Sequence, residues 1–381
     1  DRDEDMLRRG VALARALFSY MLDVAYDHKV IDFTDQVFLP VHPDFRDMCR
    51  LPRPDRVFVD EAQDLSPVQV ELVAAMLGMR PGETWGTRRA WKRGRGGKPE
   101  AAQRVVFVGD RAQAIYGWRG AASDAMDLIK VRFACDELPL TVCWRCDADI
   151  VDLAAGVGVT EILSAPGKSR GEVINLCDVA GEAGSVRVAA RPGSVAICRT
   201  TAPLIAAAYR IIRKGRRAVV LGREIGAGLV ALVKKLCGKS IKPSASADVI
   251  FERLDRWLER EVMKAVDRED KAAAAQDRAE CIRCVAEELP EDRYTVGDLI
   301  AQIESIFSDQ QAAGGVTLCT IHKSKGLEWD EVTILDWHRL PSRWAKRAWQ
   351  VQQERHCVYV AITRARHRLT LCRADDFEPS A

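Results

Sequence analysis

Residues 57–64 read Val-Phe-Val-Asp-Glu-Ala-Gln-Asp. A short β-branched and aromatic run that ends in two adjacent carboxylates, Asp60 and Glu61, is how a parallel sheet presents a magnesium ligand and a base at its carboxyl edge, beside nucleotide phosphates. A second strand-then-turn segment, residues 105–121, reads Val-Val-Phe-Val-Gly-Asp-Arg-Ala-Gln-Ala-Ile-Tyr-Gly-Trp-Arg-Gly-Ala. It places Asp110 and Gln113 just past a strand, with Tyr116, Trp118 and Arg119 on the loop beyond. An aromatic side chain on such a loop can stack on an unpaired base whatever its identity. This is the chemistry end of a nucleotide-driven motor.

With these residues the chain resembles the UvrD/Rep type of superfamily 1 DNA helicases, and the resemblance extends well past the acidic pair. Four further segments follow in the family's order: residues 109–121, 140–145 (Leu-Thr-Val-Cys-Trp-Arg), 316–330 (Val-Thr-Leu-Cys-Thr-Ile-His-Lys-Ser-Lys-Gly-Leu-Glu-Trp-Asp) and 358–366 (Val-Tyr-Val-Ala-Ile-Thr-Arg-Ala-Arg). The resemblance implies an enzyme that uses ATP and magnesium, steps along single-stranded DNA in the 3′ to 5′ direction, and acts at junctions of single- and double-stranded DNA. Two RecA-like domains would close on ATP and open on release.

The same resemblance carries roles onto matching residues. Asp60 would hold magnesium through water and Glu61 would polarise the attacking water, because phosphoryl transfer needs positioning and charge neutralisation more than covalent help. Gln113 would sense the γ-phosphate, with Asp110 beside the nucleotide. Trp144 would stack on adenine where the family has a tyrosine, and Arg145 and Arg364 would reach the γ-phosphate as arginine fingers. Gly326 would permit close backbone approach and Glu328 would meet the ribose. Trp118, Tyr116, Arg119, Thr320 and His322 would face DNA, with core packing the alternative for Tyr116.

One family element has no counterpart. A phosphate-cradling loop reads G-x-x-x-x-G-K followed by Ser or Thr. Gly167-Lys168-Ser169 and Gly238-Lys239-Ser240 have the last three residues, but Ile162 and Val233 occupy the first glycine's place and both triplets follow the acidic motif. The expectation is a protein truncated at its N-terminus. A non-hydrolysing DNA-binding or partner-binding remnant is the alternative.

Composition agrees with a globular reading. The 381 residues are 48% apolar and 29% charged, with room for two or three domains. A formal net charge of +2 is too small to argue nucleic-acid binding by itself, so DNA contacts must come from local patches. One such patch is residues 88–104, where seven Lys or Arg alternate with glycines and Trp91; a phosphate-binding strap and a solvated loop are both open there. The twelve cysteines, several lying singly on apolar strands, suggest a reducing cytoplasm. Two C-x-x-C pairs, Cys143/Cys146 and Cys281/Cys284, could make a four-thiolate zinc site or a redox pair. The first sits inside the Trp144-Arg145 motif and the second in a charged helical stretch, so a structural role is expected for both.

The elements that must position these groups alternate between strand and helix. Ser66-Pro67 is a cap-then-proline helix start leading into residues 68–77. Strands are expected at 195–198, 218–221, 316–320, 332–335 and 369–372, with a helix over 203–214 ended by Gly215. Residues 7–26 read as a helix, and Ile250, Leu254, Trp257, Leu258 and Val262 recur at helical spacing within a helical stretch over 247–289. The fold class is α/β, with two RecA-like parallel-sheet domains of the P-loop NTPase type, the first incomplete, and a small helical insert in the second. By resemblance, residues 1–30 are a helical remnant of subdomain 1B and 31–138 the C-terminal part of domain 1A. Residues 139–225 and 314–381 form domain 2A, and 226–313 a reduced 2B-like insert.

Overall fold

The computed structural model describes residues 2–85, 104–117, 124–177, 188–265, 269–311 and 314–379. The chain forms two compact units, one comprising Asp1–Arg111 and Tyr116–Leu138, the other Ala112–Ile115 and Pro139–Ala381. Among the described residues no helix is long and apolar enough to cross a membrane.

In the first unit, strands Arg56–Val59 and Arg104–Phe107 pair in parallel, with Val57 opposite Val105 and Val59 opposite Phe107. Side chains alternate between the faces of a strand. Val57, Val59, Val105 and Phe107 therefore pack inward on Val70, Ala74, Ile129 and Phe133 of helices Pro67–Met76 and Ala125–Phe133. Phe58, 73% exposed, and Val106 and Val108 point the other way. The helix start at Ser66-Pro67 is as expected: the Ser66 side chain accepts from the Gln69 amide while the Gln69 side chain accepts from the Ser66 amide. Helix Arg2–His28 is longer than its apolar pattern suggests, and through Leu22 and Ala25 it packs on Phe38, Leu39 and Phe45.

The second unit is built on a seven-stranded parallel sheet. Its order is Glu172–Asn175, Ala365–Cys372, Trp329–Leu335, Val195–Cys198, Val316–Thr320, Ala218–Leu221 and Phe307–Ser308. Every pairing is parallel. Val195–Cys198 and Val316–Thr320 are buried at every position, as expected of central parallel strands covered on both faces, and their sequences are continuous apolar runs with little alternation. The two edge strands are short or polar and carry no such run, which is why neither was expected. Helix Ala348–Ile362 is buried continuously from His356 onward. An all-round buried helix has no polar stripe and hence no visible helical period.

The stretch expected as a helical insert contains four helices, Arg223–Cys237, Asp248–Lys264, Glu269–Glu287 and Val296–Ile306. They share one core with the sheet: Leu229, Val233, Ile250, Leu254, Ile282, Leu299 and Ile303 cluster with Ala196, Ile205, Val220 and Leu318. Asp277 joins the two parts further. Its carboxylate accepts from the amides of Thr201 (3.0 Å) and Ala202 (2.9 Å), satisfying donors at the start of helix Ala202–Arg213.

Candidate functional site

Asp60 and Glu61 follow strand Arg56–Val59 and are both exposed. The turn is tight: Glu61 adopts a left-handed conformation, φ 50°, uncommon for a residue with a side chain, and its amide donates to Asp60 Oδ1 at 2.9 Å. Gln63, only 2% exposed, bridges the two loops of this edge. Its Nε2 donates to Glu61 Oε2 (2.5 Å) and its Oε1 accepts from the Asp110 amide (3.0 Å). A Cβ on Gly109 would lie 2.5 Å from Gln63 Oε1 and 3.2 Å from the Ala62 and Gln63 amide nitrogens, so a larger residue would displace the Gln63 side chain from this bridge. Gln63 thus orients the expected base, a role that follows from contact and that the bare Asp-Glu-Ala-Gln string does not reveal.

Magnesium fits this edge in one way. A single exposed carboxylate beside a second matches an ion that keeps most of its waters and is completed by substrate phosphates. No protein cage offers another arrangement: among the described residues no group of three or more His, Cys, Asp or Glu could hold a metal ion.

In the second unit, Arg145 and Arg366 meet at Glu328, Arg366 also pairs with Asp330 at 3.3 Å, and Arg364 lies nearby. Glu328, just before strand Trp329–Leu335, pairs with Arg145 and with Arg366, whose Nη2 lies 2.5 Å from Oε1. Hydrogen bonding from Arg366, reinforced by the Arg145 charge, holds the Glu328 carboxyl below the usual carboxylate range. Arg364 is 2% exposed and meets no carboxylate in these bonds. Its guanidinium donates to the carbonyls of Val360 (3.0 Å) and Leu327 (2.9 Å) and to Thr363 Oγ1 (3.1 Å). Burial, then repulsion from Arg145, pushes its pKa down from the ordinary arginine value. Trp144 stands beside this group with its ring 70% exposed, free to stack on a flat partner. The cluster holds more positive than negative charge and is suited to a polyanion.

Asp147, 3% exposed, fixes the Trp144-Arg145 segment to the sheet. Its amide donates to the Arg366 carbonyl (2.8 Å), and its Oδ2 lies 2.9 Å from His367 Nδ1.

Gln113 belongs to this unit too, although the sequence places it with the segment before Leu138. Lys325 Nζ donates to the Gln113 carbonyl at 3.0 Å, and His356 Nδ1 lies 3.1 Å from the Ala114 carbonyl. Lys325, Arg366 and Gln63 are the positioning residues that motif reading passed over. Each lies within or beside a recognised motif, but their partners are distant in sequence.

The expected DNA-facing residues are placed in part. Thr320 ends the central strand Val316–Thr320, and its hydroxyl oxygen accepts from the Lys323 amide at 3.3 Å. His322 follows, its Nε2 3.9 Å from Cys357 Sγ. Gly326 adopts φ 83° with open space around it, so the conformation and not crowding requires glycine. Tyr116 is half-buried. Trp118, Arg119 and all of the basic stretch except Arg104, which begins a strand, lie outside the described residues.

Comparison with known proteins agrees with this geometry. Residues 14–134 match the UvrD/REP helicase N-terminal domain, and residues 278–375 match the UvrD-like helicase C-terminal domain. F-box DNA helicase protein 1 of Schizosaccharomyces pombe is 25% identical over 346 residues, covering 83% of this chain and 34% of that protein. ATP-dependent DNA helicase UvrD1 of Mycobacterium tuberculosis is 34% identical over 118 residues, 29% of this chain and 14% of its own length. ATP-dependent DNA helicase PcrA of Bacillus subtilis is 33% identical over 140 residues, 32% and 18% respectively. The chain thus spans about a third or less of these relatives. Matched by both domain models in order, and carrying an acidic strand edge in one unit and an arginine cluster in the other, the chain belongs to the UvrD/Rep-like family of superfamily 1 helicases.

Proposed function

We propose that this chain belongs to the motor of an ATP-dependent DNA helicase that translocates 3′ to 5′ on single-stranded DNA and unwinds the duplex at a junction. The observation that carries the reading is the arginine cluster, in which Arg145 and Arg366 pair with Glu328, Arg366 also pairs with Asp330, Arg364 is buried against the Leu327 carbonyl, and the neighbouring Trp144 is exposed. A triphosphate would take the place of water around Arg145, and the indole would cover the base. Magnesium bound with the nucleotide supplies charge neutralisation at the phosphates. Asp60 would orient its water shell, and Glu61, held by Gln63, would take the proton of the attacking water. Arg145 and Arg364 would stabilise charge developing on the γ-phosphate, Arg364 after exchanging its carbonyl partners. Gln113, tied through its carbonyl to Lys325, would carry the state of the phosphate site to Thr320, His322 and the DNA strand.

The test is ATP hydrolysis with and without single-stranded DNA, together with displacement on duplexes tailed at either end. It is run on the 381-residue chain and on a form joined to a phosphate loop. Turnover stimulated by DNA is expected only in the second, because that loop supplies most triphosphate contacts. Robust turnover by the chain alone, lost in Glu61→Gln, would overturn the phosphate-loop argument. DNA binding without turnover in both forms would favour the non-hydrolysing alternative.

A further inference from the structure

The two C-x-x-C pairs share a spacing and nothing else. Cys281 and Cys284 lie within helix Glu269–Glu287, where burial and neighbouring acids raise both thiols, Cys284 to about 11. Cys143 and Cys146 flank Trp144 and Arg145 between a strand and helix Ala148–Gly156. There the Cys146 amide donates to Cys143 Sγ, 3.5 Å away. Cys143 is half-buried, whereas Cys146 is 1% exposed with its sulfur 3.8 Å from the Thr363 carbonyl. One thiol is therefore reachable from solvent, and the other is buried in the same tight turn.

We propose that Cys143 and Cys146 form a peroxide-reactive dithiol that closes to an intramolecular disulfide around Trp144 and Arg145. Cys143 is the attacking sulfur. The Cys146 thiol, the Arg145 and Cys146 amides and the Arg145 guanidinium all favour its thiolate, and its pKa is lowered to about 5. Electropositive, partly exposed surroundings of this kind make a cysteine reactive. Cys146, shielded and with its pKa raised by its bond to Cys143 and by burial, is the resolving partner.

In the first step the Cys143 thiolate attacks one oxygen of hydrogen peroxide. A sulfur–oxygen bond forms, the oxygen–oxygen bond breaks, and the departing hydroxide takes up a proton to leave as water. In the second, the Cys146 sulfur attacks Cys143. The sulfur–sulfur bond forms, the sulfur–oxygen bond breaks, and the departing hydroxide leaves as water with the Cys146 proton. Two thiols lose two electrons, and one peroxide becomes two waters. The ring would fix the backbone that carries Arg145, a consequence that rests on the function proposed above. The thiol chemistry does not.

The experiment is run on the 381-residue chain and needs no nucleotide. Brief treatment with hydrogen peroxide followed by peptide mapping should show the loss of two hydrogens between Cys143 and Cys146, with Cys281 and Cys284 unchanged. Alkylation of Cys143 should vary less than about twofold between pH 6.5 and 8.5, where an ordinary thiol speeds up about tenfold per unit below its pKa. In Cys146→Ser, a cyclic 1,3-diketone should capture the sulfenic acid on Cys143, and in Cys143→Ser, Cys146 should stay unoxidised. Because Cys146→Ser removes a buried thiol and can fail to fold, the wild-type alkylation profile stands as the independent measurement. An ordinary thiol profile at Cys143, or peroxide oxidising Cys281/Cys284 first, would overturn the proposal.

Discussion

The two sheet edges of this chain carry opposite charge and are built in opposite ways. Asp60 and Glu61 end a two-stranded sheet, stay in water, and are oriented by neighbours within three positions: the Glu61 amide bonds Asp60, and Gln63 bonds Glu61. Arg364 precedes a strand of a seven-stranded sheet, and its guanidinium lies inside, bonded to the Leu327 carbonyl and to the last turn of helix Ala348–Ile362. Charges left in water require no desolvation, whereas a buried cation holds its place only if every donor it offers finds an acceptor. At the acidic edge chemistry and folding are therefore separable. At the basic edge they are coupled.

The largest effect that tests this contrast is on turnover. In a form that hydrolyses ATP, Glu61→Gln is expected to lower kcat by about 10²–10⁴-fold, with a thermal midpoint within the scatter of a surface change. Steady-state hydrolysis beside thermal melting decides it, and a large loss of stability with turnover per folded molecule intact would break the separation. Next comes Arg145→Ala, whose side chain is 44% exposed and pairs with Glu328 at the surface. It should cut kcat by at least about 10²-fold, while its stability change stays under about 1 kcal/mol. If nucleotide binding falls and kcat does not, Arg145 is not a finger.

Arg364→Ala should behave differently and measurably worsen folding. Losing charged hydrogen bonds to two main-chain carbonyls in a closed core is expected to cost about 3 kcal/mol or more. Denaturant unfolding of the second unit reads it. Equal stability of Arg145→Ala and Arg364→Ala would remove the contrast between an exposed and a buried arginine.

The smallest effect is a pH dependence. Glu328 has a folded pKa lowered by Arg366 and Arg145, so its stabilising contribution is present above the unfolded carboxylate pKa near 4.3 and is lost as pH falls through the lower folded value. Wild type should thus exceed Glu328→Gln in stability at neutral pH, and the gap should close below about pH 4. A gap that persists unchanged to pH 2 would mean that packing, not charge, is what Glu328 contributes.

What could be read ahead of the structure follows from the range of each interaction. The strands at 195–198, 218–221 and 316–320 have the bounds expected, because buried parallel strands are unbroken apolar runs bracketed by turns. The Ser66-Pro67 helix start is equally local. Helices Arg223–Cys237 and Val296–Ile306 were not anticipated as separate elements, and the 247–289 stretch breaks into two helices. Their breaks reflect how each packs on the sheet core. The strand end that carries Asp60 and Glu61, the proposed catalytic pair, was legible, yet the contacts of Gln63, Lys325 and Arg366 were not, since each acts through a partner brought near only by folding.

The order and spacing of the motif residues by themselves determined the family, the α/β class and the residues expected to carry each charge, because short-range pattern specifies strands and the groups at their ends. Only tertiary structure decided the state of those groups. It turned Arg364 inward while leaving Trp144 exposed, gave Gln113 to the second unit through Lys325, and merged the helices after residue 225 with the sheet core. It also separated two identical C-x-x-C spacings into a pair raised by burial and a pair with one thiolate favoured. Burial and long-range pairing depend on which distant elements meet, and no local string of residues encodes that.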